Sequence, residues 1–211
     1  MIDTGDLHAL RRAPAEPAEV GIGSAHAIAA KQNRSRTTHD RLLDAFDELL
    51  QESQYADITL AEIARRADLT TGAVYGRFRD KRGIAVAVYE RFTRNSTRVM
   101  EEWGRRPTWQ TATAHSIIGG WTKGAVNFGR VHRPLVTLMT VDPAAHDAYC
   151  AITALAGRIL KDLLHRKITA ADDDVEWVAR AAMAVLERLD LEHDDPNDRI
   201  TKLICSYLGV E

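Results

Sequence analysis

Residues Thr59 to Glu90 read TLAEIARRADLTTGAVYGRFRDKRGIAVAVYE, a pattern that predicts two short helices joined by a tight turn. Thr59 can cap the first helix, because threonine followed three residues later by Glu62 forms a capping box. The turn is centred on Asp68, and Thr70 can cap the second helix. The stretch is therefore expected to fold as a helix-turn-helix, in which the second helix faces outward.

The second of these helices has side chains suited to a close approach to DNA. Its amino end carries small and hydroxyl side chains, which leave room for base edges and supply hydrogen-bonding groups. Arg77 and Lys81 follow where they can reach flanking phosphates. Between Arg65 and Arg82, six basic residues accompany two acidic ones, whereas ten acidic residues accompany two arginines between Asp172 and Asp198. The basic stretch indicates an anionic partner, although solvated helix faces would explain the charges equally well.

The motifs of this stretch closely resemble the amino-terminal domain of TetR-family transcriptional regulators. The resemblance rests on Ile63-Ala64, on the spacing T-x-G-x-x-Y-x-x-F-x-x-K from Thr70 to Lys81, and on the apolar helix that follows. It covers about Arg36 to Arg94. It implies that the third helix of the domain enters the major groove, and that the chain is a sequence-specific DNA-binding regulator.

Carried over position by position, the resemblance implies a set of DNA contacts. Thr59 would bind a phosphate at a helix amino end, and Lys81 would bind a phosphate on the far side. Apart from the resemblance, Arg34 and Arg36 are candidates for a basic arm that enters the minor groove. Each of these residues also has a purely structural alternative. Thr59 would then act only as a helix cap, Lys81 would be a solvated residue at the start of a helix, and Arg34 and Arg36 would belong to a disordered arm. Tyr75 has the alternative of packing between helices. The recognition helix and its end supply the remaining predicted contacts, namely Thr70, Thr71, Gly72, Ala73, Tyr75 and Arg77.

Two positions depart from the family pattern. Asp68 stands where the turn commonly has glycine, and Arg77 stands where histidine often follows the tyrosine. Aspartate adopts a left-handed backbone at modest cost, and arginine keeps a hydrogen-bond donor while adding charge. Neither departure argues against the motif.

Proline placement and hydrophobic period predict an all-α fold. No proline occurs between Ala18 and Arg106, and the later prolines stand at breaks between segments of helical period. We expect a mobile extension over residues 1–33, a helix-turn-helix domain over 34–94, and a larger helical ligand-binding and dimerisation domain over 95–211. Beyond the helix-turn-helix, the expected helices are Thr37 to Ser53, Asp80 to beyond Met100, Trp109 to Arg130, Arg133 to Thr140, Ala144 to Arg166, one from Asp172 and one from Asp195.

The second half of the chain has features of an effector-binding and dimerising domain. The last two predicted helices would expose apolar stripes unless they pair across a two-fold axis in a four-helix bundle; intramolecular packing is the alternative. Trp121, Phe128 and Met139 are candidates to line an apolar cavity for an unidentified small molecule, with ordinary core packing as the alternative. His115 and His132 are candidates to orient a polar ligand, with a surface histidine or a satisfied core histidine as the favoured alternative for both.

Composition excludes several other classes of protein. Two cysteines among 211 residues exclude a disulfide scaffold, and no apolar run is long enough to span a membrane. The chain shows no secretory signal, so a cytoplasmic location is expected. His146 and Cys150 lie four residues apart but make only half a metal site, so we expect no catalytic residue, metal or cofactor.

These observations favour a homodimeric repressor that leaves a palindromic DNA operator when a small-molecule effector binds. A ligand-independent architectural DNA-binding protein and a TetR-like activator are the alternatives.

Overall fold

A computed structural model describes residues 25–165, 167–189, 191 and 195–210, with side chains from Thr37 onward. Within these residues the chain forms α-helices and no strand, which confirms the predicted all-α class. No helix in this part of the chain is both long enough and apolar enough to cross a membrane. The helices are α1 (Ala25–Glu52), α2 (Leu60–Arg66), α3 (Thr71–Tyr75), α4 (Lys81–Gly104), α5 (Thr108–Thr111), α6 (Ala114–Val141), α7 (Pro143–Leu164), α8 (Asp172–Leu186) and α9 (Asn197–Leu208).

The first helix begins earlier than its sequence pattern predicts. It starts at Ala25 rather than at Thr37. The added turns include several alanines and no proline, a composition that favours helix. Residues 1–24 of the predicted extension lie outside the described residues, as does the side chain of Arg36.

The described residues divide into two compact bodies, and the division falls inside α4 between Phe92 and Thr93. In the first body, α1, α2, α3 and the start of α4 pack their apolar faces together. Arg91 also donates to the Asp44 carboxylate at 2.8 Å, which ties α4 to α1. The core of this body includes Leu42, Phe46, Leu49, Ile58, Ile63, Val74 and Ile84, all at most 2% exposed.

The second body corrects the expectation that a helix breaks before Pro134. Helix α6 runs unbroken from Ala114 to Val141 with this proline inside it. A proline in a helix interior costs about 3 kcal/mol or more. The neighbouring turn buries Leu135, Val136 and Met139, and burial of each such side chain contributes roughly 1.5–3 kcal/mol. Tertiary burial therefore outweighs the local cost.

Trp109 is also placed differently from its predicted position at the start of the long helix. It lies in the separate short helix α5. Helix α6 begins after Thr113, whose Oγ1 accepts a hydrogen bond from the Ser116 backbone N–H at 3.2 Å. The long helices of this body share a core that includes Ile117, Ile118, Leu160, Ala179 and Ile204.

Candidate nucleic-acid interface and ligand pocket

The two short helices of the helix-turn-helix are capped as their sequence predicts. The Thr59 hydroxyl accepts from the Glu62 backbone N–H at 3.2 Å, and the Thr70 hydroxyl accepts from the Ala73 backbone N–H at 3.2 Å. Both threonines have extended backbone angles, as caps do. The structure therefore confirms both residues as helix caps.

The turn between α2 and α3 depends on Asp68. Its φ is 52°, a positive value that no other non-glycine residue has among those described, and it confirms the predicted left-handed backbone. The Leu69 N–H donates to the Ala64 carbonyl and the Asp68 N–H to the Arg65 carbonyl. This pair of bonds is the Schellman motif that ends a helix. Arg41 donates to the carbonyl oxygen and the carboxylate of Asp68, at 3.0 and 3.2 Å, so the turn is held from α1.

Helix α3 is held by one side and exposes the other. Val74 is fully buried, whereas Thr71 and Gly72 at the amino end are exposed. Tyr75 is 61% exposed, so it does not pack between helices. Arg77 is also exposed and donates to the Ala73 carbonyl at 3.4 Å. The structure thus brings most of the predicted recognition residues onto one accessible surface, which we call the α3 surface and define as Thr70, Thr71, Gly72, Tyr75 and Arg77.

The structure gives Lys81 a role that sequence reasoning missed. Its Nζ donates to the backbone carbonyls of Tyr55 and Ala56, at 2.5 and 3.1 Å. The same ammonium lies 4.4 Å from the centroid of the Tyr55 ring. Lys81 therefore ties the start of α4 to the connection between α1 and α2. Its contact with a DNA phosphate stays a prediction.

The basic stretch is partly neutralised within the protein. Arg66 forms a two-pronged pair with Glu52, at 2.9 and 2.5 Å, and its guanidinium lowers the pKa of the Glu52 carboxyl by hydrogen bonding. Arg65, Arg79 and Arg82 are exposed. They flank the α3 surface in sequence and add positive charge to this part of the chain.

The second body contains an apolar pocket between α4, α6, α7 and α8. Its empty volume is about 560 Å³, including its open mouth. Trp121 and Phe128 line it, as predicted, whereas Met139 is fully buried and does not line it. The other large lining side chains are Val99, Met100, Trp103, Ile159 and Met183.

Two polar groups at this pocket have no hydrogen-bond partner. They are the Ser96 hydroxyl and the Trp103 indole N–H, and both residues line the pocket on α4. Sequence reasoning missed both residues. The available signal was a serine at helical spacing from Val99, Met100 and Trp103, which places it on their face of α4.

A neighbouring cavity is more polar. Phe128 and Met183 also line this second cavity, together with Arg133, Tyr149 and Glu187. The Tyr149 hydroxyl donates to the Glu187 carboxylate. Burial, together with this hydrogen bond, raises the pKa of Tyr149 above its ordinary value. The Tyr149 hydroxyl therefore stays protonated and serves as a hydrogen-bond donor to Glu187.

The predicted half metal site is observed as a local pair. His146 Nε2 lies 3.6 Å from Cys150 Sγ on α7, and Cys150 is exposed. No group of three or more potential metal-binding side chains occurs among the residues whose placement is described.

Comparison with known proteins connects this architecture to a family. Residues 42–88 match the family model for bacterial regulatory proteins of the tetR family. A transcriptional regulator (TerR/AcrR family) from Aquifex aeolicus VF5 has a similar structure, with TM-score 0.55, 16% identity, and coverage of 82% of this chain and 98% of that one. A TetR transcriptional regulator from Rhodococcus sp. RHA1 gives TM-score 0.51 at 20% identity, with coverage of 83% and 97%. A TetR-family regulator from Streptomyces coelicolor gives TM-score 0.50 at 24% identity, with coverage of 83% and 98%. Comparison with curated proteins found no match.

A capped helix-turn-helix in an all-α chain is the element by which one class of proteins, the helix-turn-helix transcriptional regulators, contacts DNA. Within that class, the match over residues 42–88 confirms the TetR-family resemblance, so this segment is a TetR-type helix-turn-helix. The structural matches show that the fold extends over most of the chain.

Proposed function

We propose that this chain is a homodimeric transcriptional repressor. It binds a palindromic operator in double-stranded DNA and leaves it when a small-molecule effector binds. It acts in the cytoplasm, without catalysis or a cofactor. The observation that carries the proposal is the α3 surface, which is polar and accessible while Val74 anchors the helix from behind.

Gly72 gives the most specific support for DNA contact. A Cβ placed on it would meet only the Thr70 hydroxyl, at 3.9 Å, so the fold has ordinary room for a side chain there. Packing within the protein therefore does not require glycine. A glycine at the exposed amino end of a recognition helix instead suits close approach of another molecule, and DNA base edges are the partner that this motif meets.

Gly72→Ala tests this proposal while sparing the fold. We expect unchanged or slightly increased stability, because alanine is the better helix former. Operator affinity should fall by about 1–3 kcal/mol, the usual cost of forcing an extra methyl into a packed contact. The measurement is a DNA-binding titration on an operator selected from random-sequence fragments, with thermal unfolding alongside it. Unchanged operator affinity would show that α3 does not approach the bases as proposed.

The homodimer is supported by an apolar patch on α8 and α9. Part of the predicted stripes packs inward, but Val185, Leu203 and Tyr207 remain 47%, 59% and 51% exposed. Trp177 is 54% exposed, and its ring stacks on Tyr207 with centroids 5.4 Å apart. Adjacent helices that share an exposed aromatic and aliphatic patch fit a self-complementary two-fold interface.

Leu203→Arg should convert the dimer to a monomer, because it places a charge on this apolar patch. Sedimentation velocity at micromolar concentration is the measurement. Val141→Arg is the matched control, because Val141 is 72% exposed at the end of α6, outside the patch. If Leu203→Arg and Val141→Arg sediment alike, the interface lies elsewhere.

The effector response is supported by the position of the apolar pocket. Four of its lining residues, Ser96 to Trp103, belong to α4, the helix that begins at Lys81 directly after the helix-turn-helix. A ligand that binds one conformation of this helix better than another would shift the population of that conformation. Recognition helices that no longer match successive half-sites would then release the operator.

The alternatives give different results in the same assays. An architectural protein would bind unrelated DNA fragments with equal affinity, and that affinity would depend mainly on the salt concentration. An activator would bind a specific site but raise transcription of a reporter gene. The resemblance to regulators supports a non-enzymatic role.

A further inference from the structure

We infer that the apolar pocket takes an uncharged, largely apolar molecule with an oxygen that accepts hydrogen bonds from Ser96 and Trp103. The inference rests on the proposed function, in which this pocket is the effector site. It adds the chemical class of the ligand and the two side chains that recognise it.

The pocket wall excludes a charged ligand. Its lining consists of aromatic, aliphatic and methionine side chains, with a serine hydroxyl and indole groups as the polar side-chain exceptions and no ionisable residue. An ion transferred into such surroundings without a partner loses far more hydration energy than contacts can return. Apolar surface on the ligand, by contrast, gains about 25 cal/mol for each Å² removed from water.

Two hydrogen-bonding groups in this wall are unsatisfied. Ser96 is fully buried and Trp103 is 4% exposed, yet neither the Ser96 Oγ nor the Trp103 Nε1 has a partner. Buried polar side-chain atoms in native proteins usually have one. A buried group left unpaired costs about 1–3 kcal/mol, so either atom would gain from a hydrogen bond to a ligand atom that reached it.

Neighbouring side chains of the same types do find partners. The Trp121 indole N–H donates to the Ala156 carbonyl at 3.0 Å, and the Trp109 indole N–H donates to the Trp103 carbonyl at 2.8 Å. Thr122 satisfies its hydroxyl on the Ile118 carbonyl of its own helix at 2.9 Å. Ser96 and Trp103 thus stay unpaired although neighbouring groups of the same types find partners, and buried unpaired polar atoms occur away from the pocket as well, at Thr93, Asn197 and Thr201.

The spacing of the two groups suits one small ligand. Ser96 and Trp103 are seven residues apart on α4, which places them two turns, about 10 Å, apart along one face of the helix. A tryptophan side chain on a helix generally leans toward the amino end, and for Trp103 that is the direction along α4 in which Ser96 lies. The indole N–H can only donate, and the serine hydroxyl can donate as well. A ligand oxygen that accepts hydrogen bonds is therefore the complement of both.

Three probes of nearly equal shape separate the possibilities. Acetophenone carries a carbonyl oxygen, cumene replaces that oxygen with a methyl group, and benzoate carries a charge. Each would be titrated into the full chain without DNA, and binding would be followed by ligand-observed NMR. The variants are Ser96→Ala and Trp103→Phe. Thr201→Val is the control, because Thr201 also buries an unpaired hydroxyl but does not line the pocket.

We expect acetophenone to bind and each pocket variant to weaken it about 3- to 10-fold, the worth of one hydrogen bond. Cumene should bind the wild type and both variants within about two-fold, because it cannot accept a hydrogen bond, and benzoate should not bind. Ser96→Ala and Thr201→Val should unfold at the wild-type temperature or above it, because each removes a hydroxyl that is buried at a cost.

Three results would overturn the inference. In the first, the pocket variants change the affinities for acetophenone and cumene equally. In the second, benzoate binds as tightly as acetophenone. In the third, neither neutral probe binds. Operator affinity, measured in separate titrations with and without each probe, separates this inference from the proposed function. If the probes bind in the expected pattern but operator affinity does not change, the result supports the pocket chemistry and counts against the ligand switch.

Discussion

Two adjacent glycines in α6 predict opposite effects of the same substitution. A Cβ on Gly120 would lie 2.8 Å from the Trp109 ring carbon Cη2, a separation that real Cβ atoms do not show. A Cβ on Gly119 would meet only the Thr201 Cγ2, at an ordinary 3.8 Å. Gly119→Ala and Gly120→Ala therefore differ only in what the added methyl group meets.

The magnitude follows from two contributions. Alanine in place of glycine in a helix interior stabilises by roughly 0.5–1 kcal/mol, and both variants gain it. Only Gly120→Ala must displace Trp109, which is held by its hydrogen bond to the Trp103 carbonyl and by ring packing on Trp103 at 4.7 Å. Overpacking of this kind costs about 1–3 kcal/mol. We expect Gly119→Ala to be more stable than the wild type, and Gly120→Ala to be about 1–3 kcal/mol less stable than Gly119→Ala.

The assay is urea unfolding followed by circular dichroism, with the two variants and the wild type under identical conditions. The comparison between variants cancels the common change in helix propensity. Equal stabilisation by both substitutions would refute the reasoning, because it would mean that Trp109 moves aside at no cost. The packing of Trp109 on Trp103, and with it the wall of the pocket, would then need revision.

Two further predictions concern the first body. Lys81→Met should lower the free energy of unfolding by about 1.5–3 kcal/mol, because it removes charge-assisted hydrogen bonds to backbone carbonyls. The measurement is chemical unfolding, and the control is Lys202→Met at an exposed position of α9. Equal effects of the two substitutions would contradict the role of Lys81. His39 stacks on Phe78, with ring centroids 5.3 Å apart, and burial lowers its pKa from the ordinary 6.5. The unfolded chain therefore takes up this proton at higher pH than the folded chain, so the wild type should lose stability as pH falls below about 6.5. His39→Gln should lose less between about pH 7 and pH 5 in the same unfolding assay, and identical pH profiles would contradict the shift.

Local chemistry made parts of the helix-turn-helix predictable from the sequence. The caps at Thr59 and Thr70 and the left-handed backbone at Asp68 depend on interactions within a few residues, and all three predictions are confirmed. The break expected at Pro134 is wrong for the complementary reason. Its local cost was visible in the sequence, whereas the burial that offsets it depends on helices elsewhere in the chain.

Long-range partners account for what the sequence did not reveal. Lys81 bonds carbonyls 25 and 26 residues earlier in the chain, which no local pattern indicates. Trp121 and Phe128, which the aromatic content of the second half singled out, line the apolar pocket, and their contact with a ligand stays a prediction. The part played by Ser96 was missed, because an unpaired hydroxyl is recognised only when the surroundings of the side chain are known.

The most direct test of the central claim, specific DNA recognition by the α3 surface, is selection of genomic fragments by the purified protein followed by footprinting at near-physiological salt. The account predicts a protected, nearly palindromic site, with half-sites about one helical turn apart or a multiple of it. Weak, uniform binding to all fragments that disappears with added salt would contradict it, because such binding reads phosphate charge rather than sequence.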